Sequence, residues 1–386
     1  MVAIGDGRAK RDFCVHGEVL VQAERRWLTA TTFVVGSRKS QLALVQTEHV
    51  RAKLRALDAS LQLPLTTMTT TGDHILDTPL AQIGEKSLFT KELEYALLNG
   101  GVDLVVHSLK DLPTTLPPSL VIGAVLERED PRDAVVLRKD LADGALGSQV
   151  REQGLGALPE GSVVGTSSVR RRAQLKRAYP HLKFHDVRGN LNTRLRKLDT
   201  LLMSEAEEQS KAADQHVYTA LILAAAGLNR LGWQPRTTTL LPPDACLHAV
   251  GQGALAVECR ADDTRTLALL ARLEHAGTRV RAEAERAVMR TLEGGCSVPI
   301  GVWTELTLAD GKSASAADAA DQWRTYASLA GARLTLRAAV VSVNGEEHVG
   351  ATQSIMQAQA TALGNALAQE LQKAGADRIL ASIQKH

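Results

Sequence analysis

The segment 162–197, SVVGTSSVRRRAQLKRAYPHLKFHDVRGNLNTRLRK, contains two successive units in which a short apolar run leads through a polar turn into a helical pattern. Ser162–Gly165 predicts a strand and Ser167–Tyr179 a helix, and the order repeats with Lys183–Val187 and Leu191–Met203. Strands that alternate with helices are typical of α/β domains whose sheets are mainly parallel. We therefore predict that this segment belongs to an α/β domain.

The same segment concentrates positive charge. From Arg170 to Lys197 there are ten Lys or Arg residues and one acidic residue, Asp186. Arg170 and Arg171 begin the first helix directly after a Gly-Thr-Ser-Ser turn, and Arg188 follows the next strand. Helix starts attract anions through their backbone N–H groups, and a planar guanidinium grips carboxylate or phosphate at two points. Because the carboxyl ends of parallel strands meet at one edge of a sheet, we predict an anion-binding site there.

The sequence pattern also allows this basic run to be a solvated surface or an RNA-binding patch. Charge runs usually form a solvated face of the protein. An RNA-binding patch needs aromatic side chains for stacking, and aromatics make up only 3% of this chain. The net charge of +2 also argues against a general polyanion binder.

Composition limits the class of protein further. At 386 residues the chain is long enough for two or three domains. No apolar run approaches the roughly 20 residues that span a bilayer, so we expect no membrane contact. The four cysteines form no CxxC pair and suggest no disulfide scaffold, so we expect no metal site and a reducing compartment. Residues 1–32 mix acids with bases, unlike a targeting peptide, and we expect a disordered extension on a cytoplasmic protein.

The pattern of strands and helices continues toward the start of the chain. Phe33–Gly36 predicts a strand that leads into a helix capped by Ser40. Val102–His107 predicts another buried strand. The polar stretch 71–88 is too long for a simple turn and has the character of a lid. These elements indicate a first α/β unit before the basic segment.

Toward the end of the chain the pattern changes. An exposed insertion is expected at 205–216. From Thr264 onward two helices are followed by strands such as Arg333–Val343 and by a closing helix over Thr352–Leu371. Helices and strands that segregate in this way indicate a separate, small α+β domain.

A second group of polar residues follows the predicted strand, in the run His107-Ser-Leu-Lys-Asp-Leu-Pro113. Lys110 and Asp111 are adjacent, so in an extended chain they would point in opposite directions. A turn, which Pro113 favours, would let both face one cleft. A carboxylate in such a cleft can stabilise a developing cation. A structural ion pair explains the same spacing equally well.

Cys296 lies in the run Gly294-Gly-Cys-Ser-Val-Pro299, whose glycines allow close approach of another group. A thiol on such a loop can be a nucleophile or an attachment point, although a lone cysteine is more often an inert apolar residue. We expect the inert role for Cys246 and Cys259, which have apolar neighbours. The run Gly251-Gln-Gly253 is too short for a dinucleotide fingerprint, and no Walker A or HExxH sequence is present.

Taken together, these segments resemble the hydroxymethylbilane synthase family, also called the porphobilinogen deaminases, of tetrapyrrole biosynthesis. The similarity runs from about Val34 to Val302, interrupted by the insertion, and continues more loosely to the end. The motifs that carry it are Gly36-Ser-Arg-Lys-Ser-Gln-Leu-Ala43, Gly84-Glu-Lys-Ser-Leu-Phe-Thr-Lys-Glu-Leu93, Val105-Val-His-Ser-Leu-Lys-Asp-Leu-Pro113, Gly165-Thr-Ser-Ser-Val-Arg-Arg171, Val187-Arg-Gly-Asn-Leu-Asn-Thr-Arg194 and Leu292-Glu-Gly-Gly-Cys296.

The resemblance implies a specific chemistry. Cys296 would carry a dipyrromethane cofactor through a thioether. Asp111 would hold pyrrole N–H groups and stabilise the cationic azafulvene left when porphobilinogen loses ammonia. Four porphobilinogens would be coupled in turn onto the cofactor, and hydrolysis would release linear hydroxymethylbilane.

The resemblance also assigns roles to individual residues. The stretch 71–88 would be a mobile cleft loop with Phe89 at its edge, and no metal is expected. The catalytic residues would be Asp111, Lys110 and Arg38. The cofactor would be bound by Cys296, Ser108, Lys110, Asp111, Ser167, Arg170, Arg171 and Arg194. The substrate would be bound by Arg38, Ser40, Gln46, Arg188, Gly189, Arg194, Arg230 and Gln252.

The implied fold is two periplasmic-binding-protein-like (type II) α/β domains joined by a hinge, with a small C-terminal α+β domain. Domain 1 would comprise 33–128 and 236–274, domain 2 would comprise 129–235, and domain 3, with the cofactor cysteine, would comprise 275–386. The implied partners are porphobilinogen, the growing polypyrrole chain and, transiently, uroporphyrinogen III synthase, with a monomeric enzyme that contacts neither nucleic acid nor membrane. The main alternative is a non-enzymatic, hinge-type anion-binding protein, which would need neither Cys296 nor Asp111.

Overall fold

A computed structural model describes residues 31–74, 90–200, 217–292, 298–311, 324–356 and 359–383. The strands in these ranges form three sheets. In chain order they are β1 (Val35–Arg38), β2 (Leu65–Met68), β3 (Leu104–Ser108), β4 (Leu120–Val125), β5 (Asp133–Leu137), β6 (Val163–Gly165), β7 (Lys183–His185), β8 (Ala220–Ala224), β9 (Thr239–Leu240), β10 (Leu255–Arg260), β11 (Ile300–Thr307), β12 (Arg333–Val341) and β13 (His348–Met356).

Helices connect the strands and cover the sheets. None of those within the described ranges is both long and apolar enough to cross a membrane. They are α1 (Gln41–Leu57), α2 (Thr71–His74), α3 (Lys91–Leu98), α4 (Lys139–Ala142), α5 (Ala145–Gln153), α6 (Val169–Ala178), α7 (Leu191–Asp199), α8 (Ala225–Arg230), α9 (Thr264–Ala271), α10 (Ala276–Thr291), α11 (Ala360–Lys373) and α12 (Ala376–Ile383).

The first sheet has the strand order β2-β1-β3-β10-β4. Strand β1 is parallel to β2 and β3, whereas β10 is antiparallel to both β3 and β4. Leu54 and Leu270 pack on one face of this sheet, and Leu93 and Leu97 pack on the other. Because both faces are buried, β3 is a continuous apolar run until its polar end.

The second sheet repeats this arrangement in the order β7-β6-β8-β5-β9. Strand β6 is parallel to β7 and β8, and β5 is antiparallel to β8 and β9. The expectation of mainly parallel sheets is confirmed, because four of the five strands in each sheet run in the same direction. The fifth strand, β10 in the first sheet and β5 in the second, arrives from the other sheet and runs in the opposite direction. Two such sheets, each with a strand exchanged between them, make up the type II periplasmic-binding-protein-like fold.

The chain passes between the first two sheets twice, through 126–132 on the way out and through 241–254 on the return. The return begins only after β9, which pairs with β5 in the second sheet, and not at the predicted residue 236. The two crossings touch at Gly253, where φ is +89° and a Cβ would lie 2.3 Å from the carbonyl oxygen of Glu129. Only glycine fits there, so the two crossings pack closely at the position expected of a hinge.

The third sheet is antiparallel, in the order β11-β12-β13. Its core includes Leu336 from β12, Val288 from α10 and Leu367 from α11. The prediction of a closing helix from residue 352 is wrong in its first part, because residues 352–356 complete β13 and the helix begins only at Ala360. Burial alternates along β13 with the two-residue period of a strand, which outweighs the helical pattern that follows it.

Candidate active site

A cavity of about 440 Å³ lies between the first and second sheets. The first sheet contributes the segments that follow β1 and β3, and the second contributes those that follow β6 and β7 together with α8. The structure therefore brings these loops to one place, at the carboxyl ends of their strands. The predicted site residues that line the cavity are Arg38, Ser40, Gln46, Ser108, Lys110, Asp111, Ser167, Arg171, Arg188, Gly189, Arg194 and Arg230.

Lys110 and Asp111 reach the cavity because the chain turns at the end of β3. A single 3-10 turn begins at Leu109, whose N–H donates to the carbonyl oxygen of Ala254 at 3.0 Å. Leu109 is buried and anchors the turn, so the two adjacent side chains both line the cavity. Burial lowers the pKa of Lys110; Asp111 opposes this shift, and Arg171 adds to it. The turn therefore places a carboxylate among cations.

The wall beside this turn is fixed by hydrogen bonds between α1 and the first sheet. Gln46 Nε2 donates to Ser108 Oγ at 2.9 Å. Beneath them, buried Thr47 Oγ1 donates to Ser37 Oγ at 2.7 Å. Ser40 caps the start of α1 with its hydroxyl, as its position predicts. These bonds make the contribution of the first sheet a preformed surface.

The opposite wall concentrates guanidinium groups. Arg194 Nε and Arg230 Nη2 each donate to a backbone carbonyl, at 2.8 and 2.6 Å. Burial lowers the pKa of both groups to about 10, and for Arg194 the charges of Arg171 and Arg188 add to the shift. Guanidinium groups that are buried lose favourable interactions with water, and an anionic ligand would compensate for that loss, so the cavity favours an anion.

The guanidinium group of Arg171 is fixed by two hydrogen bonds, and one of its N–H groups has no partner among the described residues. Its Nη1 donates to the carbonyl oxygen of Ile222 at 2.8 Å, and its Nη2 donates to Asp133 Oδ1 at 2.7 Å. Its Nε is buried and has no partner within the described part of the chain. Since Arg171 lines the cavity, a ligand carboxylate is a suitable partner for this N–H group.

Arg170 and Gln252 do not line the cavity, which differs from the direct ligand contact predicted for them. Both turn inward to Asp133. Arg170 Nη1 donates to Asp133 Oδ2 at 2.8 Å and to the Leu247 carbonyl at 2.6 Å, while Gln252 Nε2 donates to Asp133 Oδ1 at 2.8 Å. Both side chains therefore lie at the junction between the two sheets, where they bind Asp133, which in turn binds Arg171 of the cavity wall.

Asp133 is the residue that the sequence pattern did not single out. It is completely buried at the start of β5, and burial opposes its ionisation. Arg170 and Arg171 outweigh this effect and hold the pKa of Asp133 well below its usual range. The available signal was an acidic residue directly before the apolar run Ala134–Leu137, since a buried acid in that place requires a cation.

Part of the basic run faces solvent, as charge runs usually do. Arg172 Nη1 lies 3.3 Å from Asp186 Oδ1 at the surface. The run therefore divides into residues that line the cavity, Arg171, Arg188 and Arg194, and residues that are exposed to solvent. The solvated group consists of Lys176, Arg177, Lys183, Arg196 and Lys197.

The predicted role of Cys296 and most of the predicted cleft loop, including Phe89, fall outside the described residues. The expectation for Cys246 and Cys259 is confirmed, because both are buried free thiols and burial raises the pKa of each to about 12. Within the described ranges there is no group of three side chains that could hold a metal ion.

A cation-lined cavity between two type II periplasmic-binding-protein-like units, with a carboxylate turned into it, defines a hinged anion-binding protein equipped to act on its ligand. Comparison with known proteins identifies the family. Residues 33–268 match "Porphobilinogen deaminase, dipyromethane cofactor binding domain", and residues 279–373 match "Porphobilinogen deaminase, C-terminal domain". The chain belongs to the porphobilinogen deaminase family.

Individual relatives agree with this assignment. A porphobilinogen deaminase from Gloeobacter violaceus is 48% identical over 353 residues, which cover 91% of this chain and 94% of the relative. One from Synechococcus elongatus is 50% identical over 349 residues, covering 90% and 94%. Among solved structures, the BenM effector binding domain with benzoate is 13% identical, with a TM-score of 0.34, and the match covers 68% of this chain and 93% of that one. The assignment rests on the family matches and the sequence relatives.

The described side chains suit the dipyrromethane that this family binds. A dipyrromethane presents two ring N–H groups together with acetate and propionate arms. Asp111 offers a carboxylate acceptor for ring N–H groups, and Arg171, Arg188 and Arg194 offer cations for the arms. The buried Nε of Arg171 is a donor that such an arm would satisfy. The donor set therefore fits the cofactor.

Proposed function

We propose that the cavity binds porphobilinogen and the growing polypyrrole chain through their acetate and propionate groups, and that Asp111 promotes the loss of ammonia there. Enzymes of this family are transferases that make hydroxymethylbilane from porphobilinogen. The observation that carries the proposal is the cavity wall, in which Asp111 is the single carboxylate among the lining residues of the described chain. A carboxylate placed among cations suits a ligand that has anionic arms and also develops positive charge during a reaction.

Asp111 acts on charge that develops in the substrate. As ammonia leaves porphobilinogen, positive charge spreads over the pyrrole, and a fixed carboxylate beside the ring stabilises it. Lys110 and Arg38 bind the substrate carboxylates, which orients the ring with its N–H toward Asp111. Because the turn that carries Lys110 and Asp111 is preformed, little rearrangement is needed during the reaction.

The cofactor would be held from both sheets. When bound, the dipyrromethane supplies the pyrrole end that accepts each new unit, and Cys296 attaches it through a thioether. Ser108, Ser167 and Arg194, with Lys110 and Asp111, bind it. Arg171 donates its buried Nε to one carboxylate arm. Arg170 supports this contact indirectly, because it shares Asp133 with Arg171.

The incoming substrate would be bound between the remaining cavity residues. Ser40 and Gln46 lie on the first-sheet side, and Arg188, Gly189 and Arg230 lie on the second-sheet side. Gln252 would position the junction between the sheets in place of binding substrate. A ligand that bridges both walls favours closure of the hinge, because it adds contacts that only the closed state provides.

The cellular context is also part of the proposal. The enzyme would act as a cytoplasmic monomer and would pass its product to uroporphyrinogen III synthase. The domain limits of 33–128 and 275–386 stay predictions, as does the disordered extension at 1–32, and the second domain would extend through β9 before the chain returns to domain 1. Family membership supports this context.

Replacing Arg194 by Gln should raise the KM for porphobilinogen by about 10- to 100-fold, since a charge-assisted hydrogen bond contributes about 1.5–3 kcal/mol. Arg196→Gln on the same helix is the matched control, because Arg196 is exposed and lies outside the cavity lining. Its KM should stay within about twofold of the unmodified enzyme, as expected of a solvated surface charge. Steady-state kinetics of both variants measures the difference. Equal KM values would show that the cavity cations do not bind substrate.

A further inference from the structure

A buried group of three ionisable side chains lies behind the turn that carries Lys110 and Asp111. We call Glu94, His107 and Glu258 the Glu94 cluster. His107 Nε2 lies 3.0 Å from Glu258 Oε2, and the exposed fractions of the two side chains are 3% and 0%. Glu94 is 7% exposed and interacts electrostatically with both. None of the three lines the cavity, so the proposed chemistry leaves the cluster without a role.

The cluster joins three elements that bear on the site. His107 lies on β3, one residue before Ser108 of the cavity wall. Glu258 lies on β10, where Ala256 pairs with His107 across the two strands. Glu94 lies in the first turn of α3, the helix that directly follows the predicted cleft loop. The cluster therefore connects the strand that leads into the turn bearing Lys110 and Asp111 with helix α3.

The buried charges of the cluster favour one more proton on it. With both carboxyl groups ionised and His107 protonated, the buried group would carry a net negative charge, which is unfavourable without a counter-ion. Glu94 Oε1 and Glu258 Oε1 are each buried and have no partner among the described residues. Burial raises the pKa of Glu94, the Thr90 hydroxyl opposes the rise, Glu258 adds to it, and His107 opposes it. A proton on Glu94 removes the net charge and turns an acceptor into a donor.

We propose that Glu94 retains a proton in the folded enzyme and donates it to a hydrogen bond with Glu258, which in turn holds His107, so that the cluster positions the turn bearing Lys110 and Asp111. The role of these positioning residues in turnover rests on the proposed function of Asp111. The charged groups that face Glu94 are Glu258 from β10 and His107 from β3. When Glu94 loses its proton, two buried carboxylates repel each other between α3 and the sheet. Because the folded-state pKa is raised, this contribution to stability is complete below the ordinary carboxyl pKa and is lost as pH rises through the raised value.

Three variants test the proposal in the full-length holoenzyme. Glu94→Gln keeps a donor of the same shape without a titratable proton, whereas Glu94→Leu removes the donor. Glu48→Gln on α1 is the control, because it removes a carboxylate that is 54% exposed. The infrared absorption of protonated carboxylic acid is compared at neutral pH between the unmodified enzyme and Glu94→Gln. The pH dependence of thermal unfolding, kcat and KM is measured for all four proteins.

We expect a protonated-acid band at neutral pH that Glu94→Gln abolishes and Glu48→Gln retains. Glu94→Gln should keep kcat within about twofold, and its melting temperature should no longer decline at alkaline pH. Glu94→Leu should lower kcat by about tenfold or more with little change in KM, because a catalytic group is displaced. Absence of the band, or equal loss of kcat in Glu94→Gln and Glu94→Leu, would overturn the proposal. The infrared and unfolding results do not depend on porphobilinogen turnover, so they separate a failure of this proposal from a failure of the proposed function.

Discussion

Asp111→Asn should lower the turnover of porphobilinogen by about 10²- to 10³-fold, the cost of removing one preorganised electrostatic contact to a developing charge. Asparagine keeps the size of the side chain and the anchoring of the turn by buried Leu109, so the protein should stay folded. What disappears is the single carboxylate among the described lining residues of the cavity. Because the lost contact strengthens as ammonia departs, the effect should appear mainly in kcat.

The measurement is ammonia release from porphobilinogen, followed together with the melting temperature. Asp262→Asn serves as the control, because Asp262 is exposed, follows strand β10 of the sheet that also carries Asp111, and lies outside the cavity lining. The control should turn over at the unmodified rate. If Asp111→Asn retains more than about a tenth of normal turnover, Asp111 does not stabilise the developing cation.

Asp133→Asn should lower the free energy of unfolding by about 3–5 kcal/mol, the range seen when one partner of a buried ion pair is removed. The carboxylate accepts from Arg170, Arg171 and Gln252, at 2.8, 2.7 and 2.8 Å. Without its charge, two buried guanidinium groups lose their counter-ion. The defect should also weaken substrate binding, because Arg171 lines the cavity.

The same substitution should change the pH dependence of stability. Arg170 and Arg171 hold the pKa of Asp133 far below its ordinary value of 3.8, despite the opposing effect of burial. This contribution is therefore complete above the ordinary carboxyl pKa and is lost as pH falls through the lowered folded-state value. Denaturant unfolding between neutral and acidic pH should show a weaker acid-side decline in Asp133→Asn.

Asp140→Asn is the matched control for the stability measurement. Asp140 pairs with Arg138 at 2.7 Å, but both side chains are partly exposed. Loss of this pair should cost about 1 kcal/mol or less. Equal destabilisation in the two variants would show that the Asp133 ion pairs contribute no more to stability than an exposed pair does. It would also show that Asp133 is not needed to hold Arg170 and Arg171 in place.

The sequence pattern predicted those site residues whose position depends on neighbours along the chain. Arg188 follows a strand end, and such segments meet at the edge of the sheet, whereas the roles of Gly189 and Arg194 came only from the family resemblance. Lys110 and Asp111 share the cavity because a local turn redirects them. These relations extend over a few residues, which is the range that hydrophobic period and turn chemistry describe.

Contacts between distant parts of the chain escaped prediction. Asp133 lies 37 positions from Arg170 and 119 from Gln252, so their shared hydrogen bonds depend on how the two crossings pack. His107 and Glu258 are 151 positions apart and meet only because β10 returns between β3 and β4. An arginine in a basic run shows its charge in the sequence, but whether it faces ligand or a buried carboxylate depends on such packing.

The attachment of the pyrrole cofactor at Cys296 is the central claim, and intact-protein mass spectrometry tests it most directly. The purified enzyme should carry an added mass equal to two linked pyrrole units. Proteolysis should place that mass on the peptide that contains Cys296, and Cys296→Ser should lack both the added mass and activity. An enzyme that turns over porphobilinogen with an unmodified Cys296 would contradict the account.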